Sequence, residues 1–320
     1  TEFSNLLKPV TEAELKERQS QKTPSLETGY IIDGDELVFP TGALHFITAP
    51  TSHGKTTMLI NLALRTAEKY KDKEVYLFSY EEERDSVLMK ALNTYIGKDI
   101  SKNNRKSIQG YFAGSAQYIE TASRGAFELA KDKFFKELID TKRLNINYVN
   151  YNSETLIEAI RYIHKNAKPV VILIDYVQLL NLPQGKYKTY SRQEELKGIG
   201  LDLKDLAVET GLPIIMGAQF NRTVINHFNL QATNIGEAGD IERVANVILG
   251  LWNNDFEPGG TDTDKKEISK NNINIKGTIY SKILKSRNGR VGREQILPYN
   301  GNAGVIGNTD SGSPSGLSFK

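Results

Sequence analysis

A loop with phosphate-binding chemistry lies at residues 49–56, which read APTSHGKT. The run matches the phosphate-loop pattern G-x-x-x-x-G-K-[ST], except that Ala49 replaces the first glycine. Gly54 lets the backbone approach a phosphate, Lys55 would reach the β- and γ-phosphates of ATP, and the Thr56 hydroxyl would bind Mg²⁺. A chance match on a polar turn is the alternative, but the loop follows a β-like run and opens a helical pattern, as the mechanism requires. The predicted nucleotide contacts are Pro50, Thr51, Ser52, His53, Gly54, Lys55, Thr56 and Thr57.

Three more polar side chains follow strand-like runs. Asp175 ends the apolar run 169–175, where a carboxylate would face the ligand crevice and hold Mg²⁺; the alternative is a capping role. Glu81 is the first of three glutamates at 81–83 and would orient and deprotonate an attacking water. A charged helix start would explain the same glutamates. Gln219 would sense the γ-phosphate, or else serve as a hydrogen-bonded amide at a strand end.

These residues require a sheet with aligned strand ends. Short apolar runs alternate with helical periodicity, and several runs are apolar throughout, as in central parallel strands. The sequence therefore predicts an α/β fold, a P-loop core with a mostly parallel central sheet flanked by helices. Predicted strands are 44–48, 74–79, 144–149, 169–175 and 214–218, with a closing pair at 277–285 and 293–298; predicted helices are 56–70, 153–166 and 192–210, and 84–143 is mostly helical.

Composition narrows the classes of protein. The chain has 320 residues, a formal net charge of +2 and no cysteine, which excludes disulfides, thiolate zinc sites and cysteine nucleophiles. No apolar stretch reaches about 18 residues, which excludes a spanning helix, and we expect no membrane partner. The absence of cysteine fits a reducing compartment, and we expect a cytoplasmic location. We predict an N-terminal arm at 1–26, a core domain at 27–299 and a disordered tail at 300–320. Within the arm, Thr11 and Glu14 have capping-box spacing, so a helix there would either lie on the surface or dock on a neighbouring subunit.

The order of these motifs resembles the C-terminal motor domain of the DnaB-type replicative helicases, the RecA-like hexameric class. The resemblance covers about residues 27–299. It rests on APTSHGKTT at 49–57, FSYE at 78–81, ILIDYVQL at 172–179, AQFNR at 218–222, GDIE at 239–242 and KSRNG at 285–289.

This resemblance implies an ATP hydrolase that uses Mg²⁺ and forms a homo-hexameric ring. ATP would be hydrolysed at the interfaces between subunits. It makes Glu81 the catalytic glutamate, Asp175 the Walker B aspartate and Gln219 the sensor. Arg287 resembles the arginine finger that enters the ATP site of the adjacent subunit, with Lys285 beside it. A solvated basic turn before Gly289 is the alternative for both residues.

Single-stranded DNA is the partner that the resemblance implies, with a primase or a helicase loader as further candidates. The family grips DNA with loops that here correspond to about 181–193 and 220–239; a flexible solvated loop is the alternative. The chain departs from the family where Ile235–Ala238 lacks the usual basic residue and where Arg243–Asn246 replaces a typically acidic stretch. Predicted DNA contacts are Lys186, Lys188, Arg192, Arg222, Glu237 and Gly239.

Three functions remain open at this stage. The first is an ATP-driven replicative DNA helicase or translocase in a bacterial or phage-infected cell. The second is a RecA-like ATPase of recombination or repair, and the third is a nucleotide-gated assembly or loading protein that does not unwind DNA. Only about 28 residues precede the motor, so we expect either a removed N-terminal domain or a shorter relative from a phage or mobile element.

Overall fold

A central sheet with helices on both faces forms the body of the chain. The computed structural model describes residues 11–14, 16, 25–97, 105–114, 124–183, 191–236, 241–261, 266 and 275–307. The strands are β1 Leu26–Ile32, β2 Asp35–Phe39, β3 Ala43–Ala49, β4 Glu74–Ser79, β5 Leu144–Tyr148, β6 Pro169–Asp175, β7 Pro213–Gln219, β8 Val247–Asn253, β9 Thr278–Ser286, β10 Glu294–Asn300 and β11 Val305–Ile306. The helices are α1 Lys55–Lys69, α2 Arg84–Gly97, α3 Arg105–Phe112, α4 Arg124–Phe134, α5 Ser153–Asn166, α6 Arg192–Thr210 and α7 Ile241–Val244.

Nine of the described strands form one sheet in the order β11-β10-β9-β8-β3-β7-β6-β4-β5. The strands from β8 to β5 run parallel, whereas β9, β10 and β11 are antiparallel to their neighbours. Parallel strands end at a common edge, so Ala49 pairs with Gln219 and Ser79 pairs with Asp175 at the carboxyl ends. The predicted α/β class and mostly parallel sheet are confirmed.

Two apolar layers hold the helices onto the sheet. On one face, Leu59 of α1, Leu92 of α2 and Phe127 of α4 belong to the same buried cluster. On the other face, Leu156 of α5 and Leu196 of α6 are fully buried. Because both faces are covered, the central strands are buried on both sides, and all seven residues of β3 are buried, including the polar residues His45 and Thr48.

The N-terminal hairpin β1–β2 was not among the predicted strands. Its two-residue turn is Asp33-Gly34, with φ of 54° and 82°, and Ile32 pairs with Asp35 across it. Asp-Gly between two β-like runs is a strong hairpin signal that was available in the sequence.

The predicted capping box in the arm is present. The Glu14 amide donates to Thr11 Oγ1 at 3.2 Å, and the Thr11 amide donates to Glu14 Oε2 at 2.9 Å. Most of the 1–26 arm lies outside the described residues, so its role stays a prediction. Among the described residues, no helix has the length and apolar character needed to cross a membrane.

The prediction of a disordered tail from residue 300 is wrong for 300–307. Val305 and Ile306 are fully buried and form β11 against β10. The Asn61 amide group of α1 fixes them, donating to the Gly304 carbonyl at 2.7 Å and accepting from the Ile306 amide at 3.0 Å. Two apolar residues among glycines gave too weak a pattern to predict a strand. Residues 308–320 lie outside the described part of the chain.

Candidate nucleotide site

The phosphate loop connects the carboxyl end of β3 to the first turn of α1. Gly54 is the residue before α1 and has a left-handed backbone, with φ of 93° and ψ of 13°. A side chain there would be strained, and its Cβ would also lie 3.0 Å from Ile279 Cδ1. Glycine is therefore required at this position, and the α1 N-terminus opens onto the loop.

Asp175 is the centre of the site. Its Oδ2 accepts a 2.6 Å hydrogen bond from Thr56 Oγ1, and its Oδ1 lies 3.2 Å from Lys55 Nζ. Lys55 Nζ is also 3.7 Å from Glu81 Oε2. The Asp175 side chain is only 5% exposed and that of Lys55 only 11%, whereas Glu81 is 49% exposed at the mouth of the cleft. The predicted residues thus lie close together, and the exposed fraction rises from the buried Lys55–Asp175 ion pair to the solvent-accessible carboxylate of Glu81.

Two residues that sequence reasoning missed shape the environment of Lys55. The Lys55 ammonium lies 3.3 Å from the centroid of the Tyr176 ring, a cation–π contact. Gly217 in β7 faces the same point: a Cβ there would lie 2.9 Å from Asp175 Oδ1 and 3.0 Å from Lys55 Cδ. A glycine inside an otherwise apolar strand was the available signal, since it marks a close approach.

Gln219 closes one side of the cleft and an ion pair closes the other. Gln219 Nε2 donates to Thr51 Oγ1 at 2.6 Å, which ties the end of β7 to the phosphate loop. Glu82 pairs with Lys90 of α2 and accepts a 2.8 Å hydrogen bond from the Ser86 hydroxyl. Neither Glu82 nor Lys90 was predicted. The cleft of ≈ 220 Å³ is lined by Ala49, Pro50, Thr51, Ser52, Gly54, Lys55, Thr56, Thr57, Glu81, Glu82, Lys90 and Gln219.

His53 does not line that cleft with the rest of the loop. Its ring is buried between Trp252 and Phe256, with centroids 4.4 Å from each, and its Nδ1 lies 2.8 Å from the Thr51 carbonyl oxygen. Burial lowers the pKa of His53 below its usual value, which keeps the ring neutral at pH 7. The side chain therefore supports the loop from behind, and a backbone contact with nucleotide stays a prediction.

The donor set suits Mg²⁺. Thr56 and Asp175 offer one hydroxyl and one carboxylate, and Mg²⁺ takes few protein oxygens while it keeps water and phosphate ligands. Their oxygens already lie 2.6 Å apart beside the phosphate loop. Among the described residues, no cluster of three or more His, Cys, Asp or Glu side chains could hold a metal by itself. The site thus fits a metal that arrives with a phosphate ligand.

Lys285 and Arg287 lie at the opposite edge of the sheet from the cleft. Lys285 pairs with Ile248 near the start of β8, and the Arg287 amide donates to the Asn246 carbonyl at 3.0 Å. The Asn246 amide donates to the Leu44 carbonyl of β3, so Arg287 lies about five residues before Ala49, or about 17 Å at about 3.3 Å per residue. Lys285 lies nearer, at the level of Phe46. The structure therefore does not bring Arg287 into the cleft of its own chain.

Carbonyls of α7 hold both side chains at that edge. Lys285 Nζ donates to the Glu242 carbonyl, and Arg287 Nη2 donates to the Arg243 carbonyl at 2.8 Å. Partial burial lowers the pKa of Lys285, and the charge of Arg287 adds to that effect. The Arg287 side chain is otherwise exposed at the turn after β9.

The predicted DNA contacts are only partly within the described residues. Lys186, Lys188, Glu237 and Gly239 lie outside them. Arg222 is exposed after the end of β7. Arg192 is engaged inside the protein: its guanidinium donates to the carbonyls of Gln178 and Leu180, both at 2.7 Å, and pairs with Glu195 at 2.6 Å. In the structure Arg192 stabilises the backbone that follows β6, and a DNA contact by Arg192 stays a prediction.

Fold and cleft together define a P-loop nucleotide-binding domain with a RecA-like sheet. The family model for the DnaB-like helicase C terminal domain matches residues 26–303. The chain belongs to this family.

Relatives and solved structures agree with that assignment. The chain is 28% identical over 262 residues to "Replicative DNA helicase DnaB" of Mycoplasma genitalium, covering 80% of this chain and 50% of that protein. It is 27% identical over 286 residues to "Probable plasmid replicative DNA helicase" of Chlamydia trachomatis, covering 85% and 55%. The chain thus spans about half the length of these curated relatives.

Two solved structures share the fold. "ATPase Domain of G40P" aligns with a TM-score of 0.72 at 21% identity, covering 93% of this chain and 96% of that one. A DnaB-like replicative helicase, described with its interactions with primase, aligns with a TM-score of 0.70 at 21% identity, covering 93% and 65%.

Proposed function

We propose that this chain is the motor domain of an ATP-dependent replicative DNA helicase or translocase that works as a ring hexamer on single-stranded DNA. One observation carries the proposal: the cleft at one edge of the sheet holds Lys55, Thr56, Asp175 and Glu81, while Arg287 lies at the opposite edge. Among the described residues no arginine lines the cleft, so the next subunit would complete it by presenting that edge. Head-to-tail contacts of this kind close into rings.

These four residues of the cleft would each have a role in phosphoryl transfer. Lys55 would neutralise charge on the β- and γ-phosphates, and Mg²⁺ held by Thr56 and Asp175 would supply further electrostatic stabilisation. Glu81 is exposed enough to reach a water and would accept its proton. Arg287 of the adjacent subunit would stabilise the charge that develops on the transferred group, a contribution of about 10³–10⁵ in rate.

The proposed DNA contact rests on the loops that follow β6 and β7. Both loops leave the edge of the sheet that carries the cleft, and Arg222 is exposed at the start of the second loop. The names of the relatives, replicative DNA helicases, support DNA as the substrate. A primase partner is supported by the description of one structural neighbour, and a loader stays a prediction. A cytoplasmic site of action is supported by the bacterial origin of these DNA helicase relatives.

Strand separation on a forked DNA duplex tests the proposal. With ATP and Mg²⁺ we expect unwinding that is lost in the Lys55→Ala variant, and mass measurement with an ATP analogue and single-stranded DNA should show a ring. Robust ATP hydrolysis without strand separation or movement at any protein concentration would favour a nucleotide-gated loading protein. Filaments on DNA instead of rings would favour a recombination ATPase.

A further inference from the structure

Gln178 belongs to the ILIDYVQL motif but has no task in the cleft. It lies in the single 3-10 turn Val177–Leu179 that follows β6, three residues after Asp175. Its side chain is partly buried and turns towards the end of β7. The residue is thus placed between the nucleotide cleft and the loop that leaves β7.

The Gln178 amide group joins two backbone segments. Its Nε2 donates to the carbonyls of Gln219, at 3.1 Å, and of Gly236, at 3.2 Å. Its Oε1 accepts from the Gln219 amide at 3.3 Å. A single side chain therefore holds both the residue that touches the phosphate loop and the far end of the loop after β7.

That loop is closed at its base by backbone contacts. The Gly236 amide donates to the Gln219 carbonyl at 2.8 Å, the Asn221 amide donates to the Asn234 carbonyl at 2.9 Å, and Phe220 forms a bridge with Ile235. Gln178 lies beside this base and shares the Gln219 carbonyl with Gly236. A shift of the Gln219 backbone would therefore move the loop base, the Gln178 amide group, or both.

A second loop is tied to the same point. Arg192, in the first turn of α6, donates to the carbonyl of Gln178 itself at 2.7 Å and to that of Leu180 at 2.7 Å. Its guanidinium is braced by Glu195. The backbone of Gln178 is thereby fixed from the end of the loop that follows β6, while its side chain is bonded to Gln219 and Gly236.

We propose that Gln178 is a positioning residue that couples the nucleotide site to the proposed DNA loop after β7. Nucleotide at the γ-phosphate position would compete with Thr51 for Gln219 Nε2, and the resulting movement of Gln219 would pass through the Gln178 amide to the 220–236 loop base. This rests on the proposed function of the cleft. Gln178 does not line the nucleotide cleft, whereas Gln219 does, so Gln178 acts through Gln219.

Hydrogen exchange of backbone amides tests the coupling in the whole chain. The probe is a non-hydrolysable ATP analogue with Mg²⁺, read in peptides that cover 49–56 and 219–236. In the wild type we expect the analogue to change exchange in both peptides, by about tenfold, a typical coupling magnitude. Gln178→Met keeps the side-chain length but removes all three hydrogen bonds, so the change should persist in 49–56 and disappear from 219–236. Gln193→Met, the same change on the exposed face of α6, should behave as the wild type.

A second variant protects the test against misfolding at Gln178. Gly236→Ala would bring a Cβ to 3.3 Å from the Asn221 amide nitrogen and 3.4 Å from the Gln219 carbonyl oxygen, which disturbs the loop base and leaves the Gln178 side chain unchanged. It should likewise uncouple 219–236 from the analogue. An equal response of 219–236 in the variants and the wild type, or no response there in the wild type, would overturn the coupling. No protection of 49–56 in any chain would overturn the nucleotide site as well.

Discussion

The Thr56 hydroxyl donates a 2.6 Å hydrogen bond to Asp175 Oδ2, although 119 residues separate the two along the chain. The contact brings the start of α1 against the end of β6, two strands away from β3 in the sheet. Lys55, the neighbour of Thr56, lies against the other oxygen of the same carboxylate. The buried Asp175 side chain is therefore held by adjacent residues of the phosphate loop, and their removal should affect both catalysis and stability.

Replacement of Lys55 with alanine should abolish ATP hydrolysis and destabilise the fold. The Asp175 side chain is 5% exposed, so loss of the Lys55 ammonium leaves a buried carboxylate without its cation. Removal of one partner from such a pair costs about 3 kcal/mol. Urea denaturation and phosphate release measure the two effects.

A second substitution separates these effects. Asp175→Asn in the Lys55→Ala background removes the unpaired charge, so the double variant should recover most of the lost stability but none of the activity. Retained turnover in Lys55→Ala would refute the phosphate-loop assignment. Equal stability of the single and double variants would show that the ion pair is not what holds Asp175.

Gly217→Ala should impair hydrolysis without a comparable loss of stability. The added Cβ would lie 2.9 Å from Asp175 Oδ1 and 3.0 Å from Lys55 Cδ, so one of these groups must shift. A misplacement of a catalytic group by about 1 Å lowers the rate by about 10²-fold, so we expect a loss of up to that size. Steady-state ATPase assays measure it.

Gly198→Ala is the matched control for that substitution. Gly198 lies inside α6, and an added Cβ there meets nothing within 4 Å. Alanine should therefore raise stability by about 0.5–1 kcal/mol through its better helix propensity and leave the rate unchanged. Similar ATPase rates for the two variants would contradict the steric role of Gly217.

Much of the site could be predicted because short-range patterns fix it. A phosphate loop must follow a strand and open a helix, and Asp175 and Gln219 end apolar runs whose parallel pairing places them at one edge. The observed parallel pairing of these strands therefore places Lys55, Asp175 and Gln219 close together, as the sequence predicted.

Other features depend on long-range packing that sequence periodicity does not encode. Gly217 leaves space for the Lys55 side chain, and Val305 is buried, only because segments that are distant in the sequence pack together. Arg192 sits in a basic stretch that resembles a DNA contact, yet its guanidinium is bound to carbonyls of the preceding loop. Composition shows a charge but does not show which partner neutralises it.

Stability should fall in acid partly because of His45. This ring is fully buried beside Phe39, its Nε2 lies 2.8 Å from the Pro40 carbonyl oxygen, and burial lowers its pKa from 6.5 to about 4. At pH values between about 4 and 6.5, His45 binds a proton in the unfolded chain but stays neutral in the folded chain. The stabilisation is therefore fully present above pH 6.5 and is lost as the pH falls towards 4.

Substitution of His45 isolates that contribution. His45→Gln should reduce the pH slope of the unfolding free energy in this window by about 1.4 kcal/mol per pH unit, the value for one proton. Urea denaturation at several pH values measures the slope. His164→Gln, at an exposed position of α5, should leave the slope unchanged. An unchanged slope in His45→Gln would mean that His45 does not resist protonation.

Arg287→Ala should leave nucleotide binding nearly intact but remove hydrolysis. Arg287 lies at the edge of the sheet opposite its own cleft, so alanine removes no contact with nucleotide bound to the same chain. Loss of a finger supplied by the adjacent subunit lowers the rate by about 10³-fold or more. Mixtures with Glu81→Ala subunits decide the geometry, because an interface between an Arg287→Ala cleft and a Glu81→Ala neighbour regains both groups. We expect partial recovery of phosphate release that peaks at intermediate mixing ratios. Absence of recovery at every ratio, in mixtures shown to exchange, would contradict a finger that acts between subunits.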